Sequence, residues 1–382
     1  MTLTRISSIL ATLAILVILL PMGAVVFTML QGAADGDAYA LDFAAFWGAA
    51  GLAVDGQAIA AFDKPALAQA MGIPVGPEEK EFIWLYPPMF HLVVAPLGVL
   101  PFWAAYPLFA LAALALYLTV LRPYAAAWPG GLNLALAAPV VVIGTLNGNN
   151  GLLTAGLMVF AFQALSQGKE ARAGLLISLL TIKPTLGLLL PVALIAGGHW
   201  RAFLFAIIGS IVFAGIATLI FGAAYWPAFL SAVRSVGDMV AAGSFPLEIT
   251  VTWFGTLMAF GAGSTAALAV QGLVTLSLAA LVGWAFARDG AWVWKGAVLF
   301  LAIPLATPYA HFYEMAFTLA GLILLSLAGG VRSVAEKSLV VALWVLPVLV
   351  TFLRDPPMVA FLAAPLSTAL LILAVLRARA AW

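Results

Sequence analysis

The sequence contains no cysteine, only three histidines and very few charges. Without cysteine there can be no disulfide and no thiolate metal site. His91, His199 and His311 lie far apart and show no metal-ligand spacing, so no metal site is expected. Charged residues make up 8% of the 382 positions, where a soluble domain carries about 25%. The net charge of +1 offers no basic face for nucleic acid. No Gly-rich phosphate loop of the nucleotide-binding kind is present. What is abundant is apolar: 65% of residues are hydrophobic and the mean hydropathy is +1.15. This is the composition of an all-α polytopic membrane protein, read as one domain over residues 1–382.

Residues 6–30 are long enough to span a bilayer. The run exceeds a signal-peptide core and no clear cleavage site follows, so it reads as a retained first helix with Arg5 on its cytoplasmic side. The interval 31–86 then carries eight acidic residues against two lysines, a net of −6. By the positive-inside rule it is an external loop, with helices expected near 42–54 and 64–71. Spans are expected at 89–121, 132–146 and 152–166. Residues 173–198 lie between two basic, inward-facing markers and read as a pair of half-helices with Lys183-Pro184 at the apex. A further span covers 202–221, followed by a second external region, 222–263. Spans at 264–287, 292–306, 313–327, 339–352 and 359–376 complete about twelve. Both termini are then cytoplasmic, and eleven of the sixteen basic residues fall inside.

Polar groups inside such a chain are the candidates for chemistry, because ionisable residues at membrane depth are costly. Asp42 interrupts an apolar run at helical spacing from Phe46 and from Gly48 to Ala50. It suits a general base at the membrane surface, and equally a residue that caps a helix. Lys183 stands between the apolar runs 175–182 and 186–190, where it could hold an anion or snorkel to the interface. The other polar residues assigned to the outer ends are Tyr86, Asn147, Asn149, Asn150, Thr307, Tyr309, His311, Tyr313 and Glu314. For the asparagines the plainer reading is a turn, for His311 a satisfied helix end, and for Tyr86 an interfacial aromatic.

The blocks DFAAFWGAAGLAVDGQAIAAFD from Asp42, WLYPPMF from Trp84, NGNNGLLTAGL from Asn147, LLTIKPTLGLLLP from Leu179 and TPYAHFYE from Thr307 occur in an order that resembles the family 87 glycosyltransferases. Two positions depart from that family's pattern. Asn149 stands where Gln is usual before Asn150, and Glu314 where Asp or His is more common after Tyr313. The resemblance implies a C-type glycosyltransferase fold and a polyprenyl-phosphate sugar donor, with polyprenol-phosphate mannose as the characterised one. It also implies a catalytic aspartate in the first external loop, the position of Asp42.

The residue inventory suits that chemistry. A phosphate monoester is a good leaving group, so transfer needs one base for the acceptor hydroxyl and a cation for the departing phosphate. A glycosidase of the usual type would need two opposed carboxylates. The expectation is an inverting transferase, a mannosyltransferase by resemblance, of the plasma membrane with its site on the external face. Asp42 would be the base and Lys183 the phosphate ligand. Tyr86, Asn147, Asn150, Tyr309, His311, Tyr313 and Glu314 would line the substrate cavity. The donor lipid is a substrate and no cofactor is called for; the partners are that donor, a glycolipid or glycan acceptor and the membrane lipids. The rival readings are a secondary transporter or lipid-linked-sugar flippase, which broken helices and a buried lysine would also suit, and a scaffold subunit without activity. The long acidic loop and the gathering of polar residues at one face argue against the transporter.

Overall fold

The computed structural model describes residues 3–30, 42–72, 83–128, 130–352 and 361–379. Among them the chain is helical, with one isolated antiparallel bridge between Thr250 and His311. In order, the helices are α1 (Leu3–Leu30), α2 (Asp42–Val54), α3 (Lys64–Ala70), α4 (Pro88–Val94), α5 (Phe102–Ala125), α6 (Gly131–Leu136), α7 (Pro139–Asn147), α8 (Gly151–Ser166) and α9 (Glu170–Ser178). They continue with α10 (Leu190–Ala196), α11 (Trp200–Phe221), α12 (Tyr225–Ala241), α13 (Trp253–Ala259), α14 (Ser264–Phe286), α15 (Trp292–Ala302), α16 (Met315–Leu327), α17 (Val334–Phe352) and α18 (Ala363–Arg379). Five of these, α1, α5, α11, α14 and α17, are long and apolar enough to cross a membrane. The chain is therefore an all-helical protein with several membrane-crossing segments.

Proline decides where the expected spans break. The run 89–121, expected as one span, is two pieces: α4 continues into a 3-10 turn at Ala95–Val99, and Pro101 precedes the start of α5. Pro101 lacks the N–H that would carry the ladder through, and it holds the residue before it extended. The run 132–146 is likewise divided into α6 and α7, with Pro139 at the head of α7. The helices expected at 42–54 and 64–71 form as α2 and α3, while Asp35, Asp37, Glu78, Glu79 and Glu81 of the acidic loop lie outside the described residues. The region 222–263 is built from α12, a short 3-10 turn and α13.

Among the described residues there are two large apolar bodies and a small third one around Phe245 and Phe254. The larger centres on α15 and α16, whose residues from Met315 to Leu325 are all buried, and it extends to α5, α8, α14 and α18. Helices apolar on every side belong in such a centre. The second large body joins α2 and α4 to the start of α5 and to Ile182.

The half-helix pair around Lys183 is as the sequence implies. α9 passes into a 3-10 turn at Leu179–Ile182, Lys183 takes extended geometry, and a second 3-10 turn at Pro184–Gly187 leads into α10. α9 lies beside α11, and both start at one level, where His199 Nδ1 and Glu170 Oε1 are 2.9 Å apart. From that level the broken limb rises about 22 Å to Lys183, whereas α11 continues for about 33 Å. Lys183 thus stops roughly two-thirds of the way along α11.

Candidate active site

Four segments distant in sequence meet where the two large apolar bodies join. The first is the start of α2. Asp42 occupies its first turn, half-buried, where the helix dipole favours negative charge. Phe43 beside it is fully buried, with its ring centroid 5.6 Å from Phe102, 5.7 Å from Tyr106 and 5.5 Å from Phe109. Those contacts fix the direction in which the helix begins.

The second segment is the turn between α7 and α8. Gly148 has φ +61°, and a Cβ there would lie 2.7 Å from the Cβ of Phe43. Only glycine meets both demands. The Tyr106 hydroxyl donates to the Leu146 carbonyl at 2.6 Å and holds the turn against α5. Asn149 Oδ1 accepts the Gly151 N–H at 3.0 Å, the local bond that favours Asn in turns. A Cβ on Gly151 would come within 2.7 Å of the Tyr313 carbonyl oxygen, so the head of α8 abuts the third segment directly.

That third segment is 307–314, the stretch between α15 and α16. It is pinned by the residues just before α13: Val251 N–H donates to the Ala310 carbonyl at 2.9 Å, and the Thr252 hydroxyl to the Pro308 carbonyl at 2.9 Å. Glu314 is 0% exposed; its Oε2 accepts the His311 N–H at 2.7 Å, and its Oε1 takes a hydrogen bond from Lys183 Nζ. Lys183, the apex of the broken limb, is the fourth contribution. Its ammonium also lies 5.0 Å from the centroid of the Tyr313 ring. Burying this ion pair costs desolvation, which the pairing and the extra backbone donor offset.

Tyr86 closes the group from the α4 side, its ring 5.5 Å from Phe46 and 4.4 Å from Phe90. Burial raises its phenol pKa, and the charges of Asp42 and then Glu314 raise it further, so the hydroxyl stays protonated. Asp42 is within electrostatic reach of the Tyr313 hydroxyl as well. His311 Nδ1 pairs with that hydroxyl at 2.9 Å. Burial, and then Lys183, push the His311 imidazole down to about 3, which leaves it neutral. Tyr86, His311 and Tyr313 are each half-buried.

Among the described residues five buried side-chain N or O atoms lack a hydrogen-bond partner, and four of them are here: Asn149 Nδ2, Asn150 Nδ2 and Oδ1, and His311 Nε2. The Asn150 amide is near enough to the Tyr86 hydroxyl to influence it, but no hydrogen bond of normal geometry forms. Each such atom costs about 1–3 kcal/mol when left unsatisfied. Together they offer both donors and acceptors that a bound group could satisfy.

Of the residues expected in the site, Asp42, Tyr86, Asn150, Lys183, His311, Tyr313 and Glu314 are thus drawn together. Asn147 ends α7 and is half-buried. Tyr309 packs outward, its ring 5.2 Å from Phe245 and 5.6 Å from Phe254. Asn149, a polar candidate not among the expected cavity residues, lies with Asn150 here; the signal for it in the sequence is the doubled amide. His91 is structural. Its Nε2 is 2.7 Å from the Ala49 carbonyl, which can only accept, so that nitrogen carries a proton; its Nδ1 pairs with the Tyr225 hydroxyl at 2.9 Å. The Trp84 indole donates to the same hydroxyl at 2.8 Å, tying α2, α4 and α12 together beside Tyr86.

Comparison with known proteins gives one match. The family model of Glycosyltransferase family 87 covers residues 84–308, more than half of the chain. No curated protein and no solved structure matches. The matched stretch contains Tyr86, Asn147, Asn150 and Lys183, while Asp42 precedes it and Tyr309 to Glu314 follow it. The chain belongs to glycosyltransferase family 87, the membrane glycosyltransferases its helices and its polar cluster had pointed to.

Proposed function

We propose that the protein transfers a sugar, mannose in the first instance, from a polyprenyl-phosphate donor to an acceptor hydroxyl at the outer face of the plasma membrane, with inversion. The observation that carries this is the meeting of two carboxylates, Asp42 and the Glu314 paired with Lys183, one cation and four unsatisfied amide and imidazole atoms in a chain that is otherwise almost wholly apolar. Asp42 takes the acceptor proton as the hydroxyl attacks the anomeric carbon. The bond from that carbon to the phosphate oxygen breaks, and Lys183 stabilises the phosphate that leaves. The orphaned atoms of Asn149, Asn150 and His311 hold sugar hydroxyls, which supply both donors and acceptors. Glu314 accepts a hydrogen bond from Lys183 Nζ and so positions the lysine for the phosphate. A C-type fold with about twelve spans and cytoplasmic termini accords with this reading.

The test is sugar transfer by purified protein from a polyprenyl-phosphate mannose. Asp42→Asn keeps shape and removes basicity, so it should fold and bind donor yet lose on the order of 10²-fold or more in rate. Asp55→Asn is the control, at the far end of α2 and about 20 Å away along its axis; Asp35→Asn and Asp37→Asn are controls within the same acidic loop. Wild-type rates for Asp42→Asn, or a loss confined to one of the controls, would refute the assignment of the base.

A further inference from the structure

Tyr86 is fixed by the sequence on either side of it. Pro87 biases it to extended geometry and α4 begins only at Pro88, so residue 86 stands just outside the helix. Its ring centroid lies 4.4 Å from Phe90 and 5.0 Å from Trp84, and 5.5 Å from Phe46, to which it is nearly perpendicular at 87°. Trp84 is itself tied down by the indole N–H that donates to the Tyr225 hydroxyl at 2.8 Å. Phe46 is four residues on from Asp42, one turn away on the same face of α2. A phenol clamped against Phe46 therefore stands beside the turn that carries the carboxylate. Of the charges acting on that phenol, Asp42 acts more strongly than Glu314.

The other polar groups that face the start of α2 have partners elsewhere among the described residues. Lys183 Nζ is bonded to Glu314, and the Tyr313 hydroxyl pairs with His311 Nδ1 at 2.9 Å. On α5 the Tyr106 hydroxyl donates to the Leu146 carbonyl, and on α4 the two nitrogens of His91 are taken up by the Ala49 carbonyl and the Tyr225 hydroxyl. Asp55 is just beyond the far end of α2.

We infer that the Tyr86 hydroxyl donates to the Asp42 carboxylate and is the positioning residue of the base, aiming it at the acceptor and keeping it ionised. This rests on the reading of Asp42 as the base and adds what holds it. An O–H donor favours the charged form of the carboxylate it meets. A donor already locked by packing needs no ordering when the acceptor arrives. Tyr86 takes no part in bond making: the acceptor's proton passes to Asp42, and the phenol keeps its own.

Tyr86→Phe removes one oxygen and leaves the ring packing intact. The first measurement is infrared difference titration of the solubilised protein, with the Asp42 carboxyl band identified by its absence in Asp42→Asn. In Tyr86→Phe that band should titrate higher by about one pH unit or more, because a hydrogen bond to a charged group is a strong one. The acid limb of kcat/KM with polyprenyl-phosphate mannose should move up with it. At neutral pH kcat should fall on the order of tenfold while the donor KM stays as in the wild type. Tyr225→Phe is the control for general loosening: it unpairs the Trp84 N–H and should lower the melting temperature, yet leave the Asp42 band where it is. An unmoved band in Tyr86→Phe, an equal movement in both variants, or a raised donor KM with the acid limb in place would overturn the positioning role and leave the base reading intact. A wild-type rate in Asp42→Asn would instead overturn the base reading and the positioning role with it, while the infrared titration, which needs no turnover, would still decide the hydrogen bond.

Discussion

The pair formed by Lys183 and Glu314 can be dissected by a double-mutant cycle. Glu314 is wholly buried and Lys183 only 14% exposed, so neither charge can recover its hydration if the other is removed. Removing one member of a buried pair typically costs about 3–5 kcal/mol, because the survivor is left charged and dry. Lys183→Met strands the carboxylate, and Glu314→Gln turns an amide NH₂ toward the ammonium while its oxygen can still accept from the His311 N–H. Each single variant should therefore lose about 3 kcal/mol or more, measured as thermal or denaturant unfolding in detergent. The double variant leaves no stranded charge and should regain at least about 2 kcal/mol of the summed loss, a coupling that contacting residues can show. Activity should not follow stability. Lys183→Met should impair donor binding and turnover in both backgrounds, whereas Lys183→Arg should be partly tolerated because charge is kept while geometry changes. Strictly additive stability losses would refute the energetic coupling, and normal donor affinity in Lys183→Met would refute the phosphate role.

Other outcomes follow from single features of the site. Gly151→Ala brings a methyl to 2.7 Å from the Tyr313 carbonyl, backbone that cannot swing away. It should cost about 1–3 kcal/mol by overpacking and lower kcat, with far-UV circular dichroism retained; an unchanged melting temperature would show that the two segments are not in contact. The depressed His311 pKa, about 3 against an ordinary 6.5, means that between these values the unfolded chain binds the proton and the folded one does not. Stability should fall as pH drops through 6.5 toward 3, by at most about 2 kcal/mol at pH 5. His311→Asn should flatten that slope in melts between pH 7 and pH 5, and an equally steep slope in the variant would exclude His311 as the source.

What could be read directly from the sequence was whatever depends on composition and on proline. A chain with so few charges has only lipid in which to place its apolar residues, and the helices, including the one at 42–54, and the break at Lys183-Pro184 follow from local rules. The division of 89–121 at Pro101 was in principle legible too, but the strength of the apolar run masked it. The partner of Lys183 was not legible. Glu314 is 131 positions away, and nothing local distinguishes it from a residue at the interface. Nor could the asparagines be told from an ordinary turn until Gly148 was seen against Phe43 and Gly151 against Tyr313, because the close approach of two backbones is a property of packing. Tyr309 shows the converse: its neighbours in sequence enter the site, but the bridge of 250–251 to 310–311 turns its ring outward onto Phe245 and Phe254. Sequence determined the solvent this chain must live in and where its helices break. Only the tertiary structure decided which buried charge meets which, because that depends on how helices far apart in the chain are brought side by side.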